Sequence, residues 1–435
     1  MFRYYLYLAL RSLKRDKALT ALMVLAIGFG VAASMTSYSV FRAVSGDPIP
    51  DKSSQLFKPQ IDNWGPSKSH DGEPPSAMDY TDAMGLMRDH AAALQTVLYP
   101  VNLAIVPTDA SSQPILEPGY ATYSDFFRMF EVPFKYGTAW PESDDDRHGS
   151  AIVIGSELNQ QLFGGINSVG KSIEVGGDTF RIVGVTQPWN PKPRFYDVVN
   201  SRTFSEAAQL WIPFTRAIDL QMPTYGNRNC SGQAEPGWEG RLRSSCVWLS
   251  YWAQLPNAAA VSQYKRYLEG YAAIQQRAGR FHWAPNVRLS NVMQWMDKQH
   301  VVPAETEVSM LLSFGFLIVC LVNTVGLLLA KFMRRAPEIG VRRALGASRR
   351  TIYAQFLMEA SIVGAAGGML GLGLTALGVA GIGLVFEPDI AQLANVDLTL
   401  LLLTLLLAIG CTVIAAFYPT WRASRVQPAW QLKSN

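Results

Sequence analysis

Four long apolar runs, separated by polar and charged segments, organise this chain of 435 residues. Residues 18–41, 308–330, 360–386 and 398–418 contain no Asp, Glu, Lys or Arg. A helix of about 20 residues, rising ~1.5 Å per residue, crosses the ~30 Å hydrocarbon core of a bilayer. The pattern therefore predicts four transmembrane α-helices, with the long polar segment 47–306 between the first and the second.

Composition and charge favour a membrane protein over a nucleic-acid-binding protein. The chain is 49% hydrophobic and 17% charged, and its net charge is +4. The cations stand beside the apolar runs and not along one soluble segment, so they do not indicate nucleic acid. The basic residues of the three flanks are Arg3, Arg11, Lys14, Arg15 and Lys17; Lys331, Arg334, Arg335, Arg342, Arg343, Arg349 and Arg350; and Arg422, Arg425 and Lys433.

The distribution of these cations predicts the orientation in the membrane. Segment 387–397, between the third and fourth runs, contains no Lys or Arg. By the positive-inside rule, both termini are predicted to be cytoplasmic and residues 47–306 to lie outside. A cleaved signal peptide at the first run is the alternative, and it is disfavoured because signal h-regions have only about 7–15 apolar residues.

The runs and their flanks predict the organisation of the whole chain. The basic N-terminus carries apolar residues at helical spacing, which indicates an interfacial elbow helix. Leu289, Val292, Met293 and Met296 share one helical face, which predicts a stalk helix or, alternatively, a core helix of the external domain. The predicted segments are the elbow helix 1–17, the first span with its outer extension 18–46, the external domain with the stalk 47–306, the second span 307–331, a cytoplasmic loop with a short helix 332–350, the third span 351–386, a short external loop 387–397, the fourth span 398–418 and a cytoplasmic tail 419–435.

The external segment has the pattern of a mixed α/β domain. Ala151–Gly155 is a short apolar strand that precedes a helix. Residues 171–175 and 179–185 flank Gly176-Gly177, which is typical of a β-hairpin. Segment 189–255 is rich in Pro, Gly and aromatic residues, and it predicts a loop-like insertion.

One motif in this domain matches a nucleotide-binding pattern. Gly165, Gly170, Lys171 and Ser172 satisfy the spacing of a P-loop. A P-loop needs a preceding strand and a following helix, because the helix N-terminus and backbone N–H groups hold the phosphates. Here the motif follows a predicted helix and opens a predicted hairpin, so we reject nucleotide binding.

The cysteines and histidines limit the chemistry that the chain can perform. Cys230 and Cys246 predict a disulfide in an oxidising compartment, with two unrelated free thiols as the alternative. Cys320 and Cys411 lie in separate apolar runs and are interpreted as packing residues. The 5 histidines have no spacing typical of a metal site or a catalytic triad. We therefore predict no metal site and no catalytic residue.

The apolar runs lack the polar rows that an ion or proton pathway requires. Glu359, near the cytoplasmic end of the third run, is predicted to snorkel or to pair with a loop arginine. The third run is rich in Gly, including Gly364, Gly367 and Gly368. Small residues let helix backbones approach closely, so this run predicts a packed interface that includes a second subunit.

Loop 332–350 predicts a short cytoplasmic helix. Pro337 suits its first turn, Glu338 suits the positive N-terminal end, and Gly346 suits its termination. Apolar side chains alternate with arginines along it. Such a helix fits a protein partner, with lipid head groups as the alternative.

This loop also carries a resemblance to a known family. Glu338–Ala347 reads Glu-Ile-Gly-Val-Arg-Arg-Ala-Leu-Gly-Ala, and Gln355–Ala360 reads Gln-Phe-Leu-Met-Glu-Ala. Both motifs resemble the signature of MacB/FtsX-like ABC transporter permeases. Residues 10–15, 151–185 and 418–429 resemble further blocks of that family in the same order.

The resemblance implies a mechanotransmission-type permease of the bacterial inner membrane, with four transmembrane helices and a large α/β periplasmic domain between spans 1 and 2. It implies a second permease subunit, a cytoplasmic ABC ATPase that binds ATP and Mg²⁺, and export partners such as a periplasmic adaptor and an outer-membrane tunnel. No cofactor and no enzymatic activity are then expected in this chain. The residues implied in the ATPase contact are Glu338, Ile339, Gly340, Val341, Arg342, Arg343, Leu345 and Gly346.

The expected function is efflux of an antimicrobial, a peptide or another amphiphile. Lipoprotein release and control of cell-wall hydrolases are alternatives within the family, and a membrane-anchored receptor is the alternative from another class. MacB itself carries a fused N-terminal ATPase, whereas this chain begins near the predicted elbow helix, so the ATPase is expected in a separate chain. Pro337 replaces the polar residue expected before Glu338, and substrate specificity is not carried over.

Overall fold

The computed structural model describes residues 15–68, 71–106, 113–200, 203–233, 235–382 and 397–424. The chain divides into two compact units, which we call the helical unit, Met1–Ser45 with Val302–Asn435, and the α/β unit, Gly46–Val301. Almost all of the predicted elbow helix 1–17 and external loop 387–397, and the end of the tail 419–435, lie outside the described residues.

The elements are numbered in chain order. The helices are α1 Lys17–Ser45, α2 Tyr80–Asp89, α3 Asp125–Met129, α4 Glu142–Asp146, α5 Ser156–Phe163, α6 Phe214–Asp219, α7 Gly237–Arg243, α8 Ala258–Arg277, α9 Val292–Lys298, α10 Ala304–Arg334, α11 Ala336–Ala344, α12 Arg349–Ile382 and α13 Leu398–Ser424, with a 3₁₀ turn at Phe195–Asp197. The strands are β1 Leu56–Ile61, β2 Leu94–Val106, β3 Ile115–Thr122, β4 Phe134–Gly137, β5 Ala151–Ile154, β6 Ser172–Val175, β7 Asp178–Thr186, β8 Leu210–Pro213, β9 Ser250–Gln254 and β10 Val287–Asn291.

The helical unit contains the long apolar helices α1, α10, α12 and α13. Within the described part of the chain, these 4 helices are long and apolar enough to cross a membrane, which confirms the predicted number of spans. Their facing sides form one buried cluster, to which Met23, Ile27, Leu328 and Ala408 belong. Exposed Leu, Ile, Val and Phe side chains occupy the opposite sides of the helices, as expected for surfaces that contact lipid.

Glycines of α12 permit close packing within the chain. A Cβ atom at Gly367 would lie 2.8 Å from Cγ2 of Ile27 on α1, and one at Gly364 would lie 3.0 Å from Cα of Ile409 on α13. Both distances are shorter than ordinary van der Waals contact, so a larger residue would push the helices apart. Gly364 and Gly367 therefore allow α12 to pack closely against α13 and α1, respectively.

The α/β unit is built on a 10-stranded sheet with the order β10-β1-β9-β2-β3-β8-β5-β7-β4, and β6 pairs with β2 and β7. Most neighbours are antiparallel, whereas β3 with β8 and β5 with β7 are parallel. Side chains alternate between the two faces because successive residues of a strand point to opposite sides. The α/β unit contains two buried apolar clusters. On β2, Val97, Tyr99 and Val101 belong to the first cluster, and Leu98, which points to the opposite face, belongs to the second cluster. The predicted hairpin is present as the antiparallel pair β6 and β7.

The prediction that segment 189–255 is a loop-like insertion is wrong, because the segment contains two strands of the central sheet. It supplies β8, which pairs with β3 and β5, and β9, which pairs with β1 and β2. Trp211 and Trp252 on these strands are buried in the sheet's second cluster. Each strand has only 4 or 5 residues between loops rich in Pro and Gly, so the alternation was too short to recognise. The segment is therefore part of the central sheet.

The predicted stalk helix over Leu289, Val292, Met293 and Met296 is also corrected. Leu289 lies on β10 and pairs with Pro59 of β1. A capping box at Asn291 then starts α9, which has only 7 residues. Val292 and Met296 are buried in the second cluster, so α9 is a core helix of the α/β unit, which was the alternative interpretation.

Cys230 and Cys246 are joined by a disulfide across a sequence separation of 16. Cross-linking a loop of this length restricts the unfolded chain and is worth about 3 kcal/mol. We expect the double variant C230S/C246S to lower the free energy of unfolding of the α/β unit by about this amount. Urea unfolding followed by tryptophan fluorescence measures it. Reductant should destabilise the wild type to the same level and leave the double variant unchanged; an equal response of both would contradict the expectation.

Candidate functional site: the helix between the second and third spans

Helix α11 connects α10 to α12 and lies where the sequence predicts it. Pro337 stands in its first turn beside Glu338, and the helix ends at Ala344. Gly346 follows with φ +95°, a left-handed conformation that L-residues with a side chain rarely adopt. The start and stop signals of the sequence therefore define this helix within the loop.

The two faces of α11 differ in exposure. Ile339 is only 5% exposed and belongs to the buried cluster of the helical unit, and Gly340 is also buried. Val341 is 55% exposed and Leu345 is 83% exposed. Residues 3 to 4 positions apart share a helix face, so the exposed apolar residues form one line. We call this line the apolar stripe; its members are Pro337, Val341, Ala344 and Leu345.

The buried face of α11 is fastened to α12 by polar contacts. Arg335, at the start of α11, donates to Glu359 Oε2 at 3.0 Å, and Arg342 donates to Gln355 Oε1 at 2.8 Å. Gln355 and Glu359 lie one helical turn apart on α12. The two contacts therefore join one face of α11 to one face of α12.

Glu359 has a second cationic partner within the helical bundle. Lys331 Nζ of α10 lies 2.6 Å from Glu359 Oε1, and both side chains are 0% exposed. Lys331 also donates to Thr20 Oγ1 of α1 at 3.3 Å. The sequence predicts the pairing of Glu359 with a loop arginine, and Arg335 is that arginine. The pairing with Lys331 was missed, because a lysine at the end of an apolar run looks like an ordinary flanking cation.

Glu338 forms ion pairs inside the chain. Its carboxylate lies 2.7 Å from Arg342, 3.5 Å from Arg335 and 3.7 Å from Arg15. Arg15, Arg342 and Glu338 are partly or largely exposed, so the pairs of Glu338 with these two arginines add only about 0.2–1 kcal/mol each. Glu338 is therefore placed to hold the arginines of α11 in position.

Aromatic packing supports the same face. Phe332 of α10 stacks on Phe356 of α12 with ring centroids 4.1 Å apart, and the Arg335 guanidinium lies 5.7 Å from the Phe356 ring centroid. Ile339 and Ile352 belong to the same buried cluster as these rings. Burying an isoleucine side chain stabilises by about 1.5–3 kcal/mol, more than an exposed ion pair does. Apolar packing thus holds α11, and the polar contacts define its orientation.

The exposed side of α11 has the chemistry of a docking surface. The apolar stripe faces solvent, and Arg349 and Arg350 at the start of α12 are exposed. An apolar helix face that docks into a groove is a recurrent mode of protein recognition, and arginines favour an acidic rim. Of the predicted contact residues, Val341 and Leu345 are accessible to a partner, whereas Ile339 and Gly340 are not.

The P-loop-like residues are arranged differently from a nucleotide site. Gly165 and Gly170 lie in the loop after α5, and Ser172 begins strand β6. Lys171 Nζ lies 4.7 Å from the Phe163 ring centroid. A strand follows the motif where a phosphate site needs a helix N-terminus. Among the described residues, no group of His, Cys, Asp and Glu is arranged to hold a metal ion.

The α/β unit has two adjacent surface cavities of about 430 and 470 Å³, which share Asp125 and Glu142 as lining residues. The first is also lined by Asp145, Tyr80 and Tyr123. Burial raises the pKa of Asp145 to about 6, and burial also raises the pKa of Asp125. Carboxylates next to aromatic rings can accept a molecule that has both a cationic and an apolar part.

Two family models match the chain. The model described as the MacB-like periplasmic core domain matches residues 20–271, and the model described as the FtsX-like permease C-terminal matches residues 310–428. The first match covers the first span and most of the sheet. The second covers α11, α12 and α13, and so includes the site described above.

Similar proteins come from several bacteria. A macrolide export ATP-binding/permease protein MacB of Azoarcus sp. is 24% identical, covering 98% of this chain and 59% of the relative. A probable syringafactin export ATP-binding/permease protein of Pseudomonas syringae pv. tomato is 26% identical, covering 70% of this chain and 40% of the relative. The crystal structure of the periplasmic region of MacB from Actinobacillus actinomycetemcomitans has 13% identity and a TM-score of 0.37, covering 59% of this chain and 96% of that one. The chain thus spans about half the length of the curated relatives.

Proposed function

The chain belongs to the MacB/FtsX-like family of ABC transporter permeases, a family of multi-pass membrane proteins, and we propose that it couples a cytoplasmic ATPase to export through the apolar stripe of α11. The observation that carries this proposal is the exposure of Leu345 and Val341 on a helix whose opposite face is buried and fastened to α12. A large apolar side chain that is 83% exposed in a short basic helix is what a docking surface requires.

In this proposal the ATPase binds ATP and Mg²⁺, and the permease performs no chemistry. The relatives are named ATP-binding/permease proteins, which supports the coupling of this permease to an ATP-binding function. We place the ATP-binding function in a separate chain. Closure of two ATPases would push α11, and α12 would move with it because of the Arg335–Glu359 and Arg342–Gln355 contacts. Two ATPases need two docking helices, so we propose a second permease subunit, identical or related.

The orientation in the proposal follows the cations. Under the positive-inside rule, Arg334, Arg335 and Arg342 support a cytoplasmic position for α11, with both termini proposed on the same side and the α/β unit in the periplasm. The membrane is then the bacterial inner membrane. The disulfide between Cys230 and Cys246 supports an oxidising compartment for the α/β unit.

We assign an amphiphile as the exported molecule. The first cavity, lined by Asp125, Glu142, Asp145 and Asp146 with Tyr80 and Tyr123, combines aromatic surface with more acidic than basic side chains, Arg88 and His90 being the basic ones, and this supports the class. The names of the relatives include macrolide and syringafactin export, and these names support the proposal of efflux over lipoprotein release or hydrolase control. A periplasmic adaptor and an outer-membrane tunnel would complete such a system.

Purification of the tagged full-length chain from its native membrane tests the proposal. We expect an ABC ATPase to copurify, together with ATP hydrolysis that disappears when the ATPase's own Walker lysine is replaced. An adaptor protein in the same preparation would support export. A preparation that contains a hydrolase activator would support cell-wall control, and one that contains a kinase and no ATPase would contradict the proposal.

A further inference from the structure

Glu359 belongs to a polar network that joins four elements of the helical unit. It lies on α12, and its carboxylate is 2.6 Å from Lys331 of α10 and 3.0 Å from Arg335 at the start of α11. Lys331 in turn donates to Thr20 of α1. The side chains of Lys331 and Glu359 are 0% exposed and that of Arg335 is 11% exposed. A carboxylate in this position needs its cations, because an unpaired buried charge is strongly destabilising.

Stability alone does not account for this arrangement. A buried ion pair contributes no more, and often less, than apolar side chains of the same volume, because both charges lose their hydration. What such a pair provides is a defined geometry, since only one placement satisfies all of its partners. For Arg335, that placement sets where α11 begins.

The contacts of α11 favour movement together with α12. Arg335 and Arg342, two turns apart on α11, hold Glu359 and Gln355, one turn apart on α12. The exposed side chains of the apolar stripe, Val341 and Leu345, take no part in these contacts. A force applied to the stripe would therefore reach one face of the third span through the two polar contacts together with the apolar packing around Ile339.

We propose that Glu359 is a positioning residue that transmits the movement of α11 to α12 through Arg335, while Lys331 balances its charge. This inference rests on the proposed function, in which an ATPase displaces α11. Glu359 itself contacts neither the ATPase nor the exported molecule. Its role is to keep α11 and α12 moving as one body.

The variant Arg335→Met tests the mechanical part of the proposal without the ATPase. It removes the arginine from Glu359 and leaves the Lys331–Glu359 pair intact. The matched control is Arg334→Met, which removes the neighbouring, exposed arginine. Amide hydrogen exchange is measured on the full-length chain in lipid nanodiscs. We expect amides of residues 338–344 to exchange at least tenfold faster in Arg335→Met, with no change in the spans and no change in the control.

A second variant serves as a control for the possibility that the Glu359 carboxylate, deprived of Arg335, disturbs the fold. Lys331→Met combined with Glu359→Leu removes both buried charges and keeps apolar side chains of similar size. We expect the thermal stability of the spans to be retained and α11 to exchange as fast as in Arg335→Met. The proposal is overturned if α11 exchanges as in the wild type in both variants, or if exchange rises equally in all four spans, since that result indicates a purely structural role.

Coupling is measured in the complex with the copurified ATPase. Arg335→Met should keep the ATPase bound, because the apolar stripe is intact, and should reduce the amount exported per ATP hydrolysed at least tenfold. Arg334→Met should couple normally. Loss of ATPase binding in Arg335→Met would overturn the positioning role. If the ATPase binds elsewhere on the chain, the proposed docking on α11 is wrong. The hydrogen-exchange rates of residues 338–344 still decide whether Glu359 positions α11.

Discussion

Leu345→Asp should detach the ATPase from the permease while the permease remains folded in the membrane. Leu345 is 83% exposed, so its replacement removes no internal packing. In a docked complex the same side chain would be buried, and a carboxylate there would lose its hydration without a partner. Interface residues of this kind contribute 2 kcal/mol or more, which corresponds to an affinity weaker by about 30-fold or more. Binding of the purified ATPase to the permease in nanodiscs measures the change.

The matched control replaces the same residue but keeps its apolar character. Leu345→Met keeps an apolar side chain of similar volume and should bind the ATPase within a few-fold of the wild type. Circular dichroism and thermal unfolding should be the same for both variants. Equal ATPase affinity for Leu345→Asp and the wild type would remove the apolar stripe from the interface.

Ile339→Ala, in contrast to Leu345→Asp, should destabilise α11 itself. Ile339 is 5% exposed and lies in the buried cluster that also contains Phe332 and Phe356. Truncating a buried isoleucine to alanine costs about 2–5 kcal/mol, because the apolar contact is lost and a cavity remains. We expect α11 to open locally in this variant, with faster hydrogen exchange over the helix.

Val341→Ala is the control for this second prediction. Val341 stands two residues further along the same helix, is also β-branched, and is 55% exposed. Its truncation should change the stability of α11 by about 0.5 kcal/mol or less. If Ile339→Ala and Val341→Ala opened α11 to the same extent, the division of the helix into a buried and an exposed face would be wrong.

The spans and α11 could be predicted because their signals are local. An uncharged run longer than the membrane thickness has few alternatives, and Pro337, Glu338 and Gly346 mark a helix within the loop. The two faces of α11 could not be predicted from the same residues. The motif contains apolar residues on both sides, and only the packing of Phe332 and Phe356 decides that Ile339 is buried.

The features that sequence reasoning missed depend on contacts distant in the chain. Lys331 and Glu359 stand at the ends of different spans, and nothing local shows that they meet. Strands β8 and β9 are short, and they pair with strands that are distant in the sequence. Their own residues therefore do not indicate a strand. Leu289 and Val292 have a helical spacing, but Leu289 lies in a strand because β10 pairs with β1.

Photo-crosslinking from position 345 tests the central claim most directly. A benzophenone amino acid replaces Leu345 in one preparation and Leu402, an exposed residue within α13, in another. After irradiation of native membranes, we expect an adduct between position 345 and an ABC ATPase, and none between position 402 and that protein. An adduct of position 345 with lipid alone would contradict docking of the ATPase on the apolar stripe.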